Sequence, residues 1–158
     1  MSIAQIVYRK AGESDLMTYF NWANDEVTRK NSFSSDNIDL KTHTVWFLNK
    51  IASPNSLLLI FEDETKSRVG QVRIESEQDN AVIGISIDEA FRGQSLASFM
   101  IDSACTEYFR NFTQTTIAAH IKSANIASIK AFEKAGFTSK EEYVVGDERR
   151  IILFRQNV

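Results

Sequence analysis

Arg92-Gly93-Gln94-Ser95 stands between an apolar run, Ala81 to Ile87, and a long helical pattern from Leu96 to Phe112. A buried strand that passes through a small-residue loop into a helix is built to hold an anion. The first-turn N–H groups have no partner within the helix, and the helix dipole favours negative charge at that end. Arg92 adds a forked cation at the mouth of the loop, and Asp88-Glu89 mark the step out of the strand. Strand–loop–helix units are common, so the chemistry here depends on what the rest of the chain brings to the loop. Cys105 is the only cysteine, which excludes an internal disulfide and a cysteine-rich metal site; no metal is expected. It falls inside the helical pattern beside Ala104, the position of a buried structural thiol rather than of a nucleophile.

The elements that position the loop are readable in order. Ile3 to Lys10 reads as a first strand, broken by Gly12. Ser14-Asp15 caps a helix with Leu16, Tyr19, Phe20 and Ala23 at helical spacing. Asn31 to Asn37 is a polar loop and the least ordered-looking segment. Asp36 or Asp39 then opens a helix carrying Leu40, His43, Phe47 and Ile51 on one stripe, with Trp46 beside them, and Pro54 ends it. Leu57 to Phe61, Arg68 to Ile74 and the strand from Ala81 follow one another through short turns. The helix from about Ser95 to Phe112 is expected to turn Leu96, Phe99, Met100, Ser103, Ala104 and Phe109 inward. Thr115 to Ile121 is a strand with Ile117, Ala119 and Ile121 on one side and His120 on the other. Asn125 starts a short helix that Gly136 ends, and Phe137 to Val145 pairs with Arg149 to Phe154 in a hairpin. Glu13, Asp15, Glu75 and Glu77 read as solvated surface.

At 158 residues the chain reads as one domain, residues 1–158, with 43% hydrophobic and 25% charged residues in ordinary globular proportion. The net charge of −3 and the scattered Lys and Arg give no nucleic-acid footprint. The amino terminus carries no signal-peptide pattern and no apolar run reaches membrane-spanning length. A reduced, soluble, cytoplasmic protein is the expectation. The fold class is α/β in the mixed α+β sense, because three middle strands joined by short turns do not fit a doubly wound parallel sheet.

Two local motifs in this order of elements resemble the GNAT superfamily of acetyl-CoA-dependent N-acetyltransferases. The first is that family's Arg/Gln-x-x-Gly-x-Gly/Ala loop, here Arg92-Gly93-Gln94-Ser95-Leu96-Ala97. The second is its Asn-x-x-Ser/Ala followed by an aromatic, Glu-Lys and Gly-Phe, here Asn125, Ser128, Phe132, Glu133-Lys134 and Gly136-Phe137. The resemblance covers essentially the whole chain. It implies a central mixed, mostly antiparallel, splayed sheet flanked by helices, with acetyl-CoA as cosubstrate. It further implies that Ile87, Asp88 and Glu89 hold pantetheine and polarise the thioester by backbone donors. The loop from Arg92 to Ala97 would hold the pyrophosphate, with Asn125 and Phe132 flanking the thiol. His120, on the strand expected to splay, is the candidate general base, in a region where several members of the family place a glutamate. Two departures stand out. Ser95 adds a Cβ where the family has glycine, and Phe132 replaces a tyrosine thought to protonate the leaving thiolate.

Trp22-Ala23-Asn24-Asp25, Arg29, Ser32, Ile38, Lys41-Thr42-His43 and Trp46-Phe47 are similar to the amino-sugar acetyltransferases of bacterial surface-glycan pathways, such as the pseudaminic-acid branch. There the acceptor is a nucleotide-linked amino sugar, and Ala23 stands where those relatives carry an arginine. His43, Trp46 and Phe47 are the implied acceptor contacts. The alternatives are acetylation of a protein amine of the ribosomal type and a non-catalytic acyl-CoA-binding module. The expected partner is a small-molecule amine, with no nucleic acid and no membrane, and a homodimer is left open.

Overall fold

The structure, a computed structural model, describes residues 5–158, with Ser139 and Lys140 described in backbone only. Ile3 and Ala4 of the expected first strand lie outside the described residues. In chain order the elements are β1 (Val7–Lys10), α1 (Leu16–Ala23), α2 (Glu26–Asn31), α3 (Leu40–Ala52), β2 (Ser56–Glu62), β3 (Arg68–Ser76) and β4 (Ala81–Ile87). Then come α4 (Ala97–Asn111), β5 (Thr116–Lys122), α5 (Ile126–Lys134), β6 (Thr138–Val145) and β7 (Glu148–Gln156). The strands form one sheet in the order β1-β2-β3-β4-β5-β7-β6. All its pairings are antiparallel except β4 with β5.

The short turns 63–67 and 77–80 force the meander β2-β3-β4, since antiparallel neighbours need only a tight connection. The return from β4 to β5 needs a crossover, and α4 supplies it. That helix lies on the main core, where Val72, Ile74, Ile83, Met100, Ile101, Ala104, Cys105, Ile117 and Leu153 are buried together. Each such aliphatic side chain contributes roughly 1.5–3 kcal/mol by leaving water. The inner face of α4 is rotated from the expected one. Leu96, Met100 and Ala104 are buried as anticipated, as is the Cys105 thiol, but Ile101 and Tyr108 join them while Phe99 and Phe109 are only half-buried. Tyr108 can be buried because its hydroxyl donates to Gln114 Oε1, 3.0 Å away, and its ring stacks on Phe112. Burial pushes the Cys105 thiol up to about 12, so the thiol is inert.

On the opposite face of the sheet Tyr19, Trp22 and Phe47 pack against Leu58 and Ile60. Three expectations change there. Asp15 is fully buried rather than solvated: it takes the Gly12 N–H at 2.8 Å and ion-pairs with Arg9 at 2.8 Å and Arg68 at 3.2 Å. Asp25 caps an unforeseen α2 by accepting from Thr28 N. The polar loop after α2 is tied down, because the Asn24 carboxamide donates to Ile38 O and accepts from Ile38 N at 2.8 and 2.7 Å. Asp39, not Asp36, caps α3. Among the described residues no helix is long and apolar enough to cross a membrane.

Candidate active site

The sheet is open between β4 and β5. Their parallel pairing covers only Ala81↔Ile117 and Val82↔Ala118, although β4 runs on to Ile87 and β5 to Lys122. Past Ile83 the strands diverge, leaving a wedge into the sheet. A cavity of about 710 Å³ fills it, within the usual range for a small-molecule site. α1 and α3 wall it on one side through Tyr19, His43 and Trp46, and β5 and α5 on the other through His120, Asn125 and Phe132.

Its floor is a ladder of cross-strand pairs. Glu75↔Val82, Arg73↔Gly84 and Gln71↔Ser86 share one face of β3 and β4, because side chains alternate along a strand. Gln71 is 3% exposed; its amide donates to Ser86 Oγ at 3.1 Å, and its Oε1 has no partner among the described residues. Glu75 is paired with Lys50 at 2.8 Å.

The cavity gathers Ile87, Arg92, His120, Asn125, Phe132, His43 and Trp46 from the sequence-derived set. Phe47 must be withdrawn as an acceptor contact. It is fully buried, behind His43, whose ring stacks on it at 5.9 Å. His43 itself is 3% exposed and its Nε2–H donates to the Leu16 carbonyl at 3.1 Å; burial pushes its pKa down, so it offers the cavity a neutral ring edge. Asn125 caps α5 by accepting from Ser128 N, which leaves its amide N–H groups for the cavity. Phe132 packs edge-on against Phe137 and supplies an apolar wall and no proton. His120 is exposed, on the face opposite Ile117 and Ile121, with Nδ1 3.2 Å from Tyr143 Oη.

Gly93, Gln94 and Ser95 are exposed on the loop after Arg92 and do not line the cavity, while Leu96 is buried and anchors the start of α4, where Ala97 is the first residue. Gly93 has φ +76°, and a Cβ there would meet nothing within 4 Å, so the loop's outer face is open to a phosphate. Ser95 also sits in the left-handed region, at φ +59°, and is not the helix N-cap; Leu96 is. Arg92 is not a free cation. Its Nε donates to Ile87 O at 3.0 Å and its Nη2 to Asp25 Oδ2 at 2.7 Å. Asp88 accepts from Trp22 Nε1 at 2.8 Å, and its own N–H donates to Val69 O at 2.8 Å. That N–H is therefore not the donor to a thioester oxygen, and Glu89 is exposed on the turn beyond.

Arg73, Gln71 and Gly84 were not singled out from sequence, and Arg29 only as part of a pattern. The signal for the first two was the polar alternation Gln71-Arg73-Glu75 in a strand whose other face is apolar.

Comparison with known proteins places this geometry in context. Residues 5–138 match the family described as acetyltransferase (GNAT) domain. The chain is similar to an uncharacterized protein of Methanocaldococcus jannaschii, 26% identical over 137 residues; these are 85% of the chain and only 28% of that relative's length. In fold it is similar to spermidine N-acetyltransferase from Vibrio cholerae in complex with CoA and spermine. The TM-score is 0.86 at 17% identity, covering 98% of this chain and 96% of the other. It is likewise similar to AAC(6')-Ib in complex with paromomycin and acetyl-CoA, with TM-score 0.80 at 16% identity over 96% and 93% of the two chains.

Proposed function

Because the chain belongs to the acetyltransferase (GNAT) domain family, we propose that it is an acetyl-CoA-dependent N-acetyltransferase acting on a primary amine of a small molecule. The observation that carries this reading is the β4–β5 wedge. One continuous cavity joins the β4 edge from Val82 to Ile87, suited to pantetheine, and Arg92 beyond it to a pocket under α1 and α3. A strand edge with unpaired backbone groups is what an extended pantetheine arm can add to. The structural neighbours with CoA or acetyl-CoA bound support acetyl-CoA as cosubstrate, and their amine acceptors support an amine here.

The reaction is direct attack in a ternary complex. The amine nitrogen bonds to the thioester carbonyl carbon, the C–S bond breaks, the amine's proton passes to a base, and coenzyme A leaves. Cys105 is buried in α4 with a raised pKa and offers no covalent relay. A thiol with pKa about 8.5 departs readily as thiolate, so Phe132 in place of an acid slows the step without forbidding it. His120 reaches the cavity from β5 and is the base in this reading; Asn125 orients the thiol end. Within the amines, an amino sugar, nucleotide-linked, fits a walled cavity of this size better than a protein amine, which needs an open groove. The test is thiol release from acetyl-CoA with a panel of amino sugars, polyamines and peptides. Turnover of an amino sugar bears the reading out. Peptide preference removes the acceptor assignment, and coenzyme A binding without any turnover favours a non-catalytic binding module.

A further inference from the structure

Arg73 and Arg29 line the acceptor end of the cavity, and among the described residues no carboxylate is ion-paired with either; Glu75, on the same strand face, is held by Lys50. The other charges there are spoken for, since Arg92 is paired with Asp25 and Glu75 with Lys50. Among the described residues neither Arg73 nor Arg29 makes an ion pair. Arg73 rises from β3 and lies across its cross-strand partner Gly84, where a Cβ would stand 2.7 Å from the guanidinium carbon. Glycine at 84 therefore makes the seat that the guanidinium occupies, and Trp46 covers it with a ring centroid 5.8 Å away.

Arg29 is held in place from behind. Its Nη1 donates to Ser34 O and Asp36 O, each at 3.1 Å, and its Nη2 to Ser32 Oγ at 3.1 Å; all three acceptors are neutral, and Nε has none. Burial first, and then the charge of Arg73, depress the Arg29 guanidinium. Two cations facing one cavity without a counter-charge repel each other, and an anion between them relieves that repulsion. Beside them Gln71 Oε1 is buried and unpartnered at the cavity floor, an acceptor available to an amine N–H. An amine near Gln71 and an anion at Arg73 are two residues apart on the same strand face.

We propose that Arg73, assisted by Arg29, is a subsite for an oxyanion group of the acceptor, so that the substrate is an amine carrying a phosphate or carboxylate rather than a polyamine. This deepens the acetyltransferase reading and rests on it for the reaction, though not for the binding. Arg supplies the planar fork that either oxyanion takes in two hydrogen bonds. A spermidine-like polycation would instead meet two unneutralised guanidiniums.

The test compares kcat/KM at saturating acetyl-CoA for glucosamine 6-phosphate against glucosamine, and for alanine against alaninamide, with spermidine as the cationic control. The wild-type protein should favour the oxyanion-bearing member of one pair by about tenfold or more. Which pair responds distinguishes phosphate from carboxylate. Arg73→Gln should collapse that preference chiefly through KM, and Arg73→Lys should restore part of it. Gly84→Ala, which keeps the arginine but fills its seat, should reproduce the loss. A preference unchanged in Arg73→Gln, or spermidine favoured over both oxyanion-bearing amines, overturns the subsite. Calorimetry with coenzyme A bound separates the two readings. If no amine turns over, the acetyltransferase reading fails by itself, while binding of glucosamine 6-phosphate or alanine that Arg73→Gln abolishes still supports the subsite. Absence of any Arg73-dependent binding overturns it.

Discussion

Arg92 Nη2 lies 2.7 Å from Asp25 Oδ2, a pair 67 positions apart in sequence that joins the loop after β4 to the cap of α2. The same guanidinium holds the carbonyl of Ile87, the last residue of β4. The loop after β4 and the start of α2 are thus tied at one point. Burial pushes the Asp25 carboxyl up, but the hydrogen bonds from Arg92 and Thr28 outweigh it and leave it below the ordinary range. Both side chains keep partial exposure, so the pair itself should contribute only about 1 kcal/mol to stability. Its larger effect should be on position. Asp25→Asn is expected to raise the Kd for coenzyme A several-fold while the fold melts nearly unchanged. Arg92→Glu, which opposes both Asp25 and a pyrophosphate, should weaken coenzyme A by about a hundredfold or more. Calorimetric affinities equal to wild type in both variants would take the loop out of the site.

Ser95 carries a side chain at φ +59°, where an L-residue is strained by roughly 1–2 kcal/mol. Glycine removes that strain but gives back about 0.5–1 kcal/mol in chain entropy. Ser95→Gly should therefore stabilise slightly, raising Tm by about 1–2 °C. It should also tighten coenzyme A, because the exposed loop loses its Cβ. A lower Tm would mean that the serine hydroxyl has a bonding role the backbone strain does not reveal.

Asp15 gives the chain a defined acid sensitivity. Its burial raises the carboxyl pKa, yet the Arg9 and Gly12 hydrogen bonds and the charges of Arg9 and Arg68 hold it below the ordinary value. A carboxylate with a depressed folded pKa contributes stability that is fully present above the unfolded value, about 3.9. That contribution is lost as pH falls through the folded value. Asp15→Asn should destabilise the fold at neutral pH, by less than the loss of a fully buried pair because Arg9 and Arg68 stay partly exposed to water. Denaturation curves of the two proteins should converge as pH drops below about 4. A constant gap between them would assign the cost to packing instead.

The strand order and the loop that leads from β4 into α4 were legible because they are written locally. Apolar runs, short turns and the Arg92–Ala97 loop each declare themselves within a dozen residues, and Asn125 announces a helix cap by position alone. What stayed hidden depends on contacts between distant segments. Asp15 reads as surface until Arg9 and Arg68 converge on it, and Arg92 reads as a free cation until α2 delivers Asp25. Phe47 and Trp46 are neighbours on α3, and only the packing of Tyr19 and His43 decides that the first is core and the second faces the cavity. Arg73 becomes informative once its strand partner is known to be Gly84.

His120 is expected to be the base, and its surroundings state what that requires. Its ring lies edge-on to Tyr143, with Nδ1 3.2 Å from the phenol oxygen. For Nε2 to take a proton from the amine, Nδ1 must carry the ring hydrogen and donate to Tyr143 Oη. The opposite arrangement, with Tyr143 donating, would put the hydrogen on Nε2 and remove the base. Most acceptor amine is ammonium at neutral pH, so a nearby base matters at the step where the neutral form is generated. His120→Ala should lower kcat by about a hundredfold, with coenzyme A affinity preserved. Tyr143→Phe should lower kcat by about threefold to tenfold by freeing the ring to rotate, a positioning effect that leaves coenzyme A affinity unchanged. Wild-type kcat in His120→Ala would pass the proton to a water chain, and a Tyr143→Phe variant faster than wild type would show that the phenol normally donates.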